Sequence, residues 1–313
     1  MVAGMHEAPA QAQGIHAVVV TYRPESAALE RLLAALRDMV NSVILIDNAS
    51  PEWDPWSLAG KNASVTIERL PTNAGIAAAQ NRGIALARAR DATYVLLLDQ
   101  DSTPTSGMVS ALLGAKDQLT REGSRVACVG SRHRMRGDDR LSSFETYGWL
   151  GPRHQICRDA ATAVECDTLI ASGTLIPVEV IDEVGGMDES LFVDLVDTEW
   201  CFRARSKGYR VFGACGAVLE HRLGESTRRL WLGRWRRVPR HQAFRYYFIF
   251  RNTLLVARRR YVPWRWILYY LRWLATLFIV CGVFSGTGSG QLRMMLKGTV
   301  DGMRGVTGKG GAL

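Results

Sequence analysis

Two carboxylates stand one residue apart in Asp99-Gln100-Asp101, directly after the apolar run Val95-Leu-Leu-Leu98. A buried strand that ends in charge needs a partner for it, because an unpaired carboxylate at the edge of a core is costly. A divalent cation, Mg²⁺ or Mn²⁺, shared with a diphosphate would be such a partner, since both prefer oxygen ligands divided between protein and phosphate. The bare tripeptide also suits a turn with a helix cap, so the weight comes from its place at a strand end. Asp47-Asn48-Ala-Ser50 ends a second apolar run, where a carboxylate could accept from a pyrimidine N–H or close an Asx-turn. Thr21-Tyr22-Arg23 ends a third. Farther on, Asn73-Ala-Gly75 and Asn81-Arg-Gly83 bracket small residues that allow close approach of a ligand or of backbone, with Asn73 otherwise a helix cap. The densest acidic stretch, Asp194-Leu-Val-Asp197-Thr-Glu199-Trp200, could hold a general base beside an apolar wall or place acids at a helix start. His221, after Ala217-Val-Leu-Glu220, could add a third ligand to a carboxylate-bound metal.

The elements that must position these residues follow from hydrophobic period. Segments 16–22, 42–48, 65–70, 93–99 and 126–130 read as short buried strands, a helix follows the first through Leu29, Leu32, Leu33 and Leu36 at spacings of three and four, and 76–88 and 108–119 read as further helices. Strands alternating with helices predict an α/β fold with a mostly parallel sheet covered on both faces. In such sheets ligands sit beyond the carboxyl ends of the strands, where strand order reverses, and three polar strand ends converge on that place. The segment 132–166 is irregular and polar, and denser structure resumes at 168–177 and 180–220. The dinucleotide fingerprint G-x-G-x-x-G is absent after the first strand, which argues against a nicotinamide enzyme.

A chain of 313 residues, 47% hydrophobic and 22% charged, can bury a large core, which excludes disordered, collagen-like and small disulfide-scaffold classes. The net charge of +9 is uneven. Between Arg222 and Arg272 lie fourteen arginines, no lysine and one acid, Glu225, a balance of +13 that leaves −4 for the rest. Cys128, Cys157, Cys166, Cys201, Cys215 and Cys281 form no C-x-x-C pair and read as reduced, mostly buried thiols. Residues 1–14 read as a loose tail without a secretory pattern.

Taken in order, Val-Val-Thr21-Tyr22, Asp47-Asn48-Ala-Ser50, Asn73-Ala-Gly75-Ile-Ala, Asn81-Arg-Gly83, Asp99-Gln-Asp101, Ser172-Gly173, Gly186-Met-Asp188-Glu189, Phe192 with Asp194, Asp197-Thr-Glu199-Trp200 with Arg203, and His221 resemble the inverting family 2 glycosyltransferases of GT-A fold. Within that family the chain is most similar to the rhamnosyltransferases of bacterial surface polysaccharide, over residues 17–252. The resemblance implies that Thr21, Tyr22, Arg23, Asp47, Asn48, Asn73, Gly75, Asn81 and Gln100 bind a nucleotide sugar. It implies that Asp99, Asp101 and His221 hold Mg²⁺ or Mn²⁺ on its diphosphate, and that Ser172, Gly173 and Trp200 lie on the acceptor side. Asp197 falls where the family has its catalytic base. Many relatives carry Glu-Asp where this chain has Val196-Asp197, so Asp194 and Glu199 remain alternatives.

The implied donor is dTDP-L-rhamnose, with UDP-galactose or UDP-N-acetylglucosamine as alternatives, and the implied acceptor is a glycan on a polyprenyl diphosphate. A catalytically silent glycan- or lipid-binding scaffold would not need Asp101 and Asp197 together. The expected map is a tail at 1–14, a catalytic domain at 15–225 and a basic, aromatic helical appendage at 226–313. A helix over 264–284 is the one candidate span, but Arg265 and Arg272 favour an in-plane amphipathic helix on an anionic leaflet over a crossing one. That places the protein in the cytoplasm, peripheral on the inner face of the membrane, with a packed soluble helix or a homo-oligomer contact as the other use. Arginine interleaved with Trp231, Trp235 and Tyr246 also suits nucleic acid, but no nucleic-acid module is present and none is expected as partner.

Overall fold

The computed structural model describes residues 14–58, 64–135, 140–149, 151–221, 227–231, 235–239, 242–284 and 289–310, with backbone only at 58, 135, 221, 227–231, 235–239, 283, 284 and 289. Of the expected tail at 1–14, residues 1–13 lie outside them. The chain runs β1 (Ile15–Thr21), α1 (Ser26–Leu36), β2 (Ser42–Asp47), β3 (Val65–Arg69), α2 (Ile76–Arg88), β4 (Tyr94–Asp99), β5 (Ser102–Pro104) and α3 (Met108–Arg121). It continues through β6 (Val126–Met135), β7 (Phe144–Gly148), β8 (Gly151–Gln155), β9 (Ala163–Cys166), β10 (Thr174–Pro177), α4 (Val178–Val184), α5 (Val196–Ser206) and β11 (Arg210–His221). The last elements are β12 (Thr227–Trp231), β13 (Trp235–Pro239), α6 (Ala243–Ala257), α7 (Trp264–Phe284) and α8 (Ser289–Arg304).

The central sheet has the order β3-β2-β1-β4-β10-β6-β11-β5, with β9 added beside β11. β1 pairs in parallel with both β2 and β4, while β10 runs antiparallel between β4 and β6. The order therefore reverses between β1 and β4, and the carboxyl ends Thr21, Asp47 and Asp99 share one edge. Alternation does the covering: Val18, Val20, Ile44 and Ile46 face α2, whereas Ile15, Ala17, Val19 and Leu45 face α1 and α3. Gly83 lets α2 close on β1, because a Cβ there would meet Val18 Cγ1 at 2.3 Å.

Four sequence expectations change. The segment 132–166 is ordered: β6 runs on to Met135, β7 and β8 form a hairpin, and β9 joins the sheet. Their polar, half-exposed residues carry little of the period that marks a buried strand. Cys157 and Cys215, expected reduced, form a disulfide across Cα atoms 5.5 Å apart; the fold brings together residues 58 positions distant. The basic stretch after 226 opens as a β-hairpin, β12 against β13 with Trp231 opposite Trp235, before helices begin. Finally, the hydrophobic core crosses the boundary expected at 225, because Leu255, Val256, Val262 and Trp266 pack in the same cluster as Trp200 and Phe202.

Candidate active site

The edge formed by the ends of β1, β2 and β4 is built by side chains that lock neighbouring strand ends to one another. Asp47, fully buried, accepts from Ser50 Oγ (2.5 Å), from the Ser50 amide (3.2 Å) and from Thr21 Oγ1 (3.3 Å), and pairs with Arg69 Nε at 3.3 Å. Ser50 Oγ in turn receives the amide of Arg23 at 2.8 Å. Across the reversal point the Tyr22 amide donates to Gln100 Oε1 (2.8 Å), and Gln100 Nε2 donates back to the Tyr22 carbonyl (3.2 Å). Asn48 Oδ1 accepts from the Ala74 amide at 2.9 Å, and Asn73 Oδ1 from Gly75 at 3.1 Å. The helix cap is Gly75, not Asn73. At φ +89° Gly75 sits where a Cβ would meet the Phe192 carbonyl at 2.5 Å, so only glycine fits there. The Tyr22 ring and the Arg23 side chain face solvent above this lattice, the ring 40% exposed.

Asp99 and Asp101 follow at the lip of β4, both half-buried. Ser172 is the node beside them: its Oγ accepts the Asp99 amide and meets Ser102 Oγ, each at 2.9 Å, and its carbonyl accepts from His133 Nε2 at 3.0 Å. Gly173, at φ +81°, leaves no room for a Cβ against Ser131 Oγ at 2.0 Å. The backbone of His221 pairs with Ser102, next to Asp101; its side chain lies outside the described atoms. Among the described residues no three His, Cys, Asp or Glu side chains close on one point. Two adjacent carboxylates suit a cation that takes its remaining ligands from phosphate oxygens better than an all-protein cage, so the donor set fits Mg²⁺ or Mn²⁺ shared with a diphosphate.

Beyond this lip opens a cavity of about 490 Å³ lined by His133, Glu145, Tyr147, Ile170, Asp197 and Tyr270 among others. Asp197, in the first turn of α5, is oriented by two amides, Thr198 to Oδ1 at 2.7 Å and Ala171 to Oδ2 at 3.1 Å. Burial pushes its carboxyl up from the ordinary aspartate range, and nearby Asp194 adds to the effect, while the two amides oppose it. Burial likewise raises Glu145, and lifts Tyr147 to about 12. The cavity therefore has one amide-oriented carboxylate, Asp197, in its wall.

The two alternative bases do not reach the cavity wall. Glu199 is buried on the opposite side of α5, chelated by Arg203 at 2.8 and 2.9 Å and bonded by the Tyr261 hydroxyl; Arg203 also grips the carbonyls of Val184 and Gly186. Asp194 forms an ion pair with Arg245. Trp200, expected at the acceptor, lies in the core and donates to the Gly185 carbonyl at 2.9 Å. Asn81, expected at the nucleotide, spends its amide on the backbone of Met187, receiving N–H at 2.7 Å and donating to C=O at 2.9 Å. Sequence reasoning passed over His133, Glu145, Tyr147 and Tyr270, which no motif marks, and also the dipeptide Arg251-Asn252. That pair is completely buried in α6: Asn252 Nδ2 reaches the carbonyls of Leu191 (2.9 Å), Val193 (2.6 Å) and Asp194 (2.9 Å), and Arg251 Nη2 shares Leu191 at 2.9 Å. The loop they grip holds three non-glycine residues at positive φ, Phe192 (66°), Asp194 (62°) and Leu195 (63°), and leads straight into Asp197. Such backbone costs about 1–3 kcal/mol per residue and persists only where its surroundings over-determine it.

Comparison with known proteins bears on both edges. A model of Glycosyl transferase family 2 matches residues 17–185, which covers the β1–β2–β4 edge and stops before Asp197. The dTDP-rhamnosyl transferase RfbF of Shigella flexneri is 30% identical over 305 residues, 95% of this chain and 97% of that protein. The pre-mycofactocin glycosyltransferase of Mycobacterium tuberculosis is 28% identical over 203 residues, 62% of this chain and 40% of that one. Among solved structures, residues 1–349 of S. aureus TarS superpose with a TM-score of 0.54 at 13% identity over 94% of this chain and 81% of that one. GalNAc-T7, solved with UDP, GalNAc and Mn²⁺, gives 0.54 at 14% identity over 66% of this chain and 43% of that one. These last two establish the fold alone.

Proposed function

The chain belongs to glycosyl transferase family 2 and is a glycosyltransferase of GT-A fold, and from that premise we propose that it transfers L-rhamnose from dTDP-L-rhamnose, with inversion, to a hydroxyl of a lipid-linked glycan in bacterial surface polysaccharide synthesis. The observation that carries the donor is the likeness to the Shigella flexneri dTDP-rhamnosyl transferase over 95% of the chain, which extends past the family match through Asp197 and the C-terminal helices.

In this reading Tyr22 and Arg23 present the exposed face of the donor edge to the nucleotide, on the lattice set by Asp47, Asn48, Asn73, Gly75 and Gln100. Asp99 and Asp101, with His221 beside them in register, would hold the divalent cation, which supplies charge stabilisation to the diphosphate. Asp197 takes the proton of the acceptor hydroxyl. As that proton moves, the hydroxyl oxygen bonds to the anomeric carbon from the side opposite the diphosphate, the anomeric C–O bond breaks with oxocarbenium-like charge, and dTDP leaves. A single displacement inverts the centre and needs no covalent intermediate. The amides of Ala171 and Thr198 fix the carboxylate's direction, and its burial raises its affinity for the proton toward that of an effective base. Ser172 and Gly173 keep the Asp99 lip and the cavity in one frame. The enzyme works at the cytoplasmic side, with residues 15–225 supplying the catalytic chemistry and the rest placing it.

Incubating the purified protein and Mg²⁺ or Mn²⁺ with dTDP-L-rhamnose, UDP-galactose or UDP-N-acetylglucosamine and a lipid-linked glycan fraction tests the assignment. Transfer from the thymidine donor, with the opposite anomeric configuration in the product by NMR, is expected. Preference for a uridine donor overturns the rhamnosyl assignment.

A further inference from the structure

α7 presents two different faces. Trp266, Leu274, Leu277, Val280 and Cys281 are buried against the protein, whereas Trp264 (50% exposed), Leu268 (41%), Leu271 (41%) and Ile279 (61%) form a stripe at helical spacing on the outside. Arg265 and Arg272, both exposed, flank that stripe along one side. The stripe continues onto the β7–β8 turn: the Trp149 ring, 62% exposed, meets the Trp264 ring edge-on at 4.8 Å, and the Arg265 guanidinium lies over both rings. Directly behind this aromatic corner stand Tyr147 and Tyr270 in the wall of the cavity that holds Asp197, with Tyr269 packed on both.

We propose that this outer face of α7 together with Trp149 is a docking surface for an anionic bilayer, which lies in the headgroup plane and sets the Asp197 cavity beside the lipid. Three features favour a lipid surface over a protein groove. The stripe pairs apolar residues with tryptophans and arginines, the composition of an interfacial helix. No Asp or Glu occurs between Glu225 and Asp301, so the charges carried by α7 and the segment just ahead of it, where Arg258 and Arg260 are exposed, are all positive and complementary to an anionic leaflet; the acid beside this face is Glu145 of β7, near Tyr269. No helix among the described residues is long and apolar enough to cross a membrane, so the contact is one of lying on the surface.

The inference rests on the proposed lipid-linked acceptor for its purpose, while its geometry stands on α7 alone. The full-length chain is mixed with vesicles of phosphatidylcholine with and without phosphatidylglycerol, and binding is read by co-sedimentation. The variants are Leu268→Glu with Leu271→Glu, and Arg265→Gln with Arg272→Gln, whose integrity is checked by unchanged dTDP affinity. Wild type should bind the anionic vesicles, the glutamate pair should lose about tenfold or more of that affinity, and the glutamine pair should lose the preference for phosphatidylglycerol. Wild-type binding by both variants overturns the proposal. So does an absence of vesicle binding in a wild type whose dimer the glutamate pair dissolves, which would assign the face to a second copy. Vesicle binding that depends on this face, found together with a uridine-sugar preference, would refute the rhamnosyl assignment and leave the docking surface standing.

Discussion

On the β1–β2–β4 edge of the cleft, Thr21, Asp47, Asn48 and Gln100 each sit within one residue of a strand end, and their bonds run mainly to adjoining strand ends and turns. On the opposite edge, Asp197 stands at the end of a left-handed loop kept in place by Arg251 and Asn252, some 60 positions farther along the chain. Parallel register assembles the first edge almost automatically, since strand ends brought into line bring their polar residues with them. The second exists only when α6 docks. This is why the core runs from Phe202 into Val256 and Trp266, and why Glu199, Arg203 and Tyr261 join α5 to the chain beyond α6.

The sharpest way to break the contrast is Asp197→Asn. Turnover should fall by about 10²–10⁴, the usual worth of a positioned base, while dTDP affinity by calorimetry stays at the wild-type value because the donor edge is untouched. Retained turnover would remove Asp197 from its role. Next in size is Asn252→Ala, which takes the side-chain donor from the partly buried carbonyls of Val193 and Asp194 at about 1–3 kcal/mol each, while Leu191 keeps Arg251. A lowered melting temperature and a fall in kcat with little change in donor KM are expected; a rise in donor KM alone would show that α6 serves the donor edge instead.

The smallest effect is on the pH profile. Because burial and Asp194 raise Asp197, its base form is lost as pH falls through a value above the ordinary aspartate range, and the acidic limb of kcat should lie there. Asp194→Asn removes a like charge, so the limb should move to lower pH; an unmoved limb would locate the titrating group elsewhere. The same shift has a stability sign: a carboxyl raised in the folded state favours folding at low pH, and that contribution is lost as pH rises through the raised value.

Much of the β1–β2–β4 edge was legible because strand ends are marked by an abrupt change from apolar to polar residues, as at Val20-Thr21, Ile46-Asp47 and Leu98-Asp99. The Asp197 edge was legible only as a cluster of acids. Helical geometry puts Asp197 and Glu199 about 200° apart around α5, so they must face different ways. Which of them meets a cavity depends on what packs on each side. Asn81 and Trp200, whose polar atoms bond backbone groups, show the same limit: an amide or an indole near a ligand-binding segment looks the same in sequence whether it turns to the ligand or to a backbone carbonyl.

By itself the amino-acid sequence determined the alternation of strands and helices, the polar strand ends that form one lip, and the segregation of positive charge toward the C-terminus, because periodicity and composition are local properties of the chain. Only the tertiary structure decided which carboxylate is the amide-oriented one in the cavity wall, that Arg251 and Asn252 hold its loop, that Cys157 and Cys215 join, and which face of α7 stays outside. Each of these is settled by contacts between residues dozens of positions apart, and no local pattern encodes such distances.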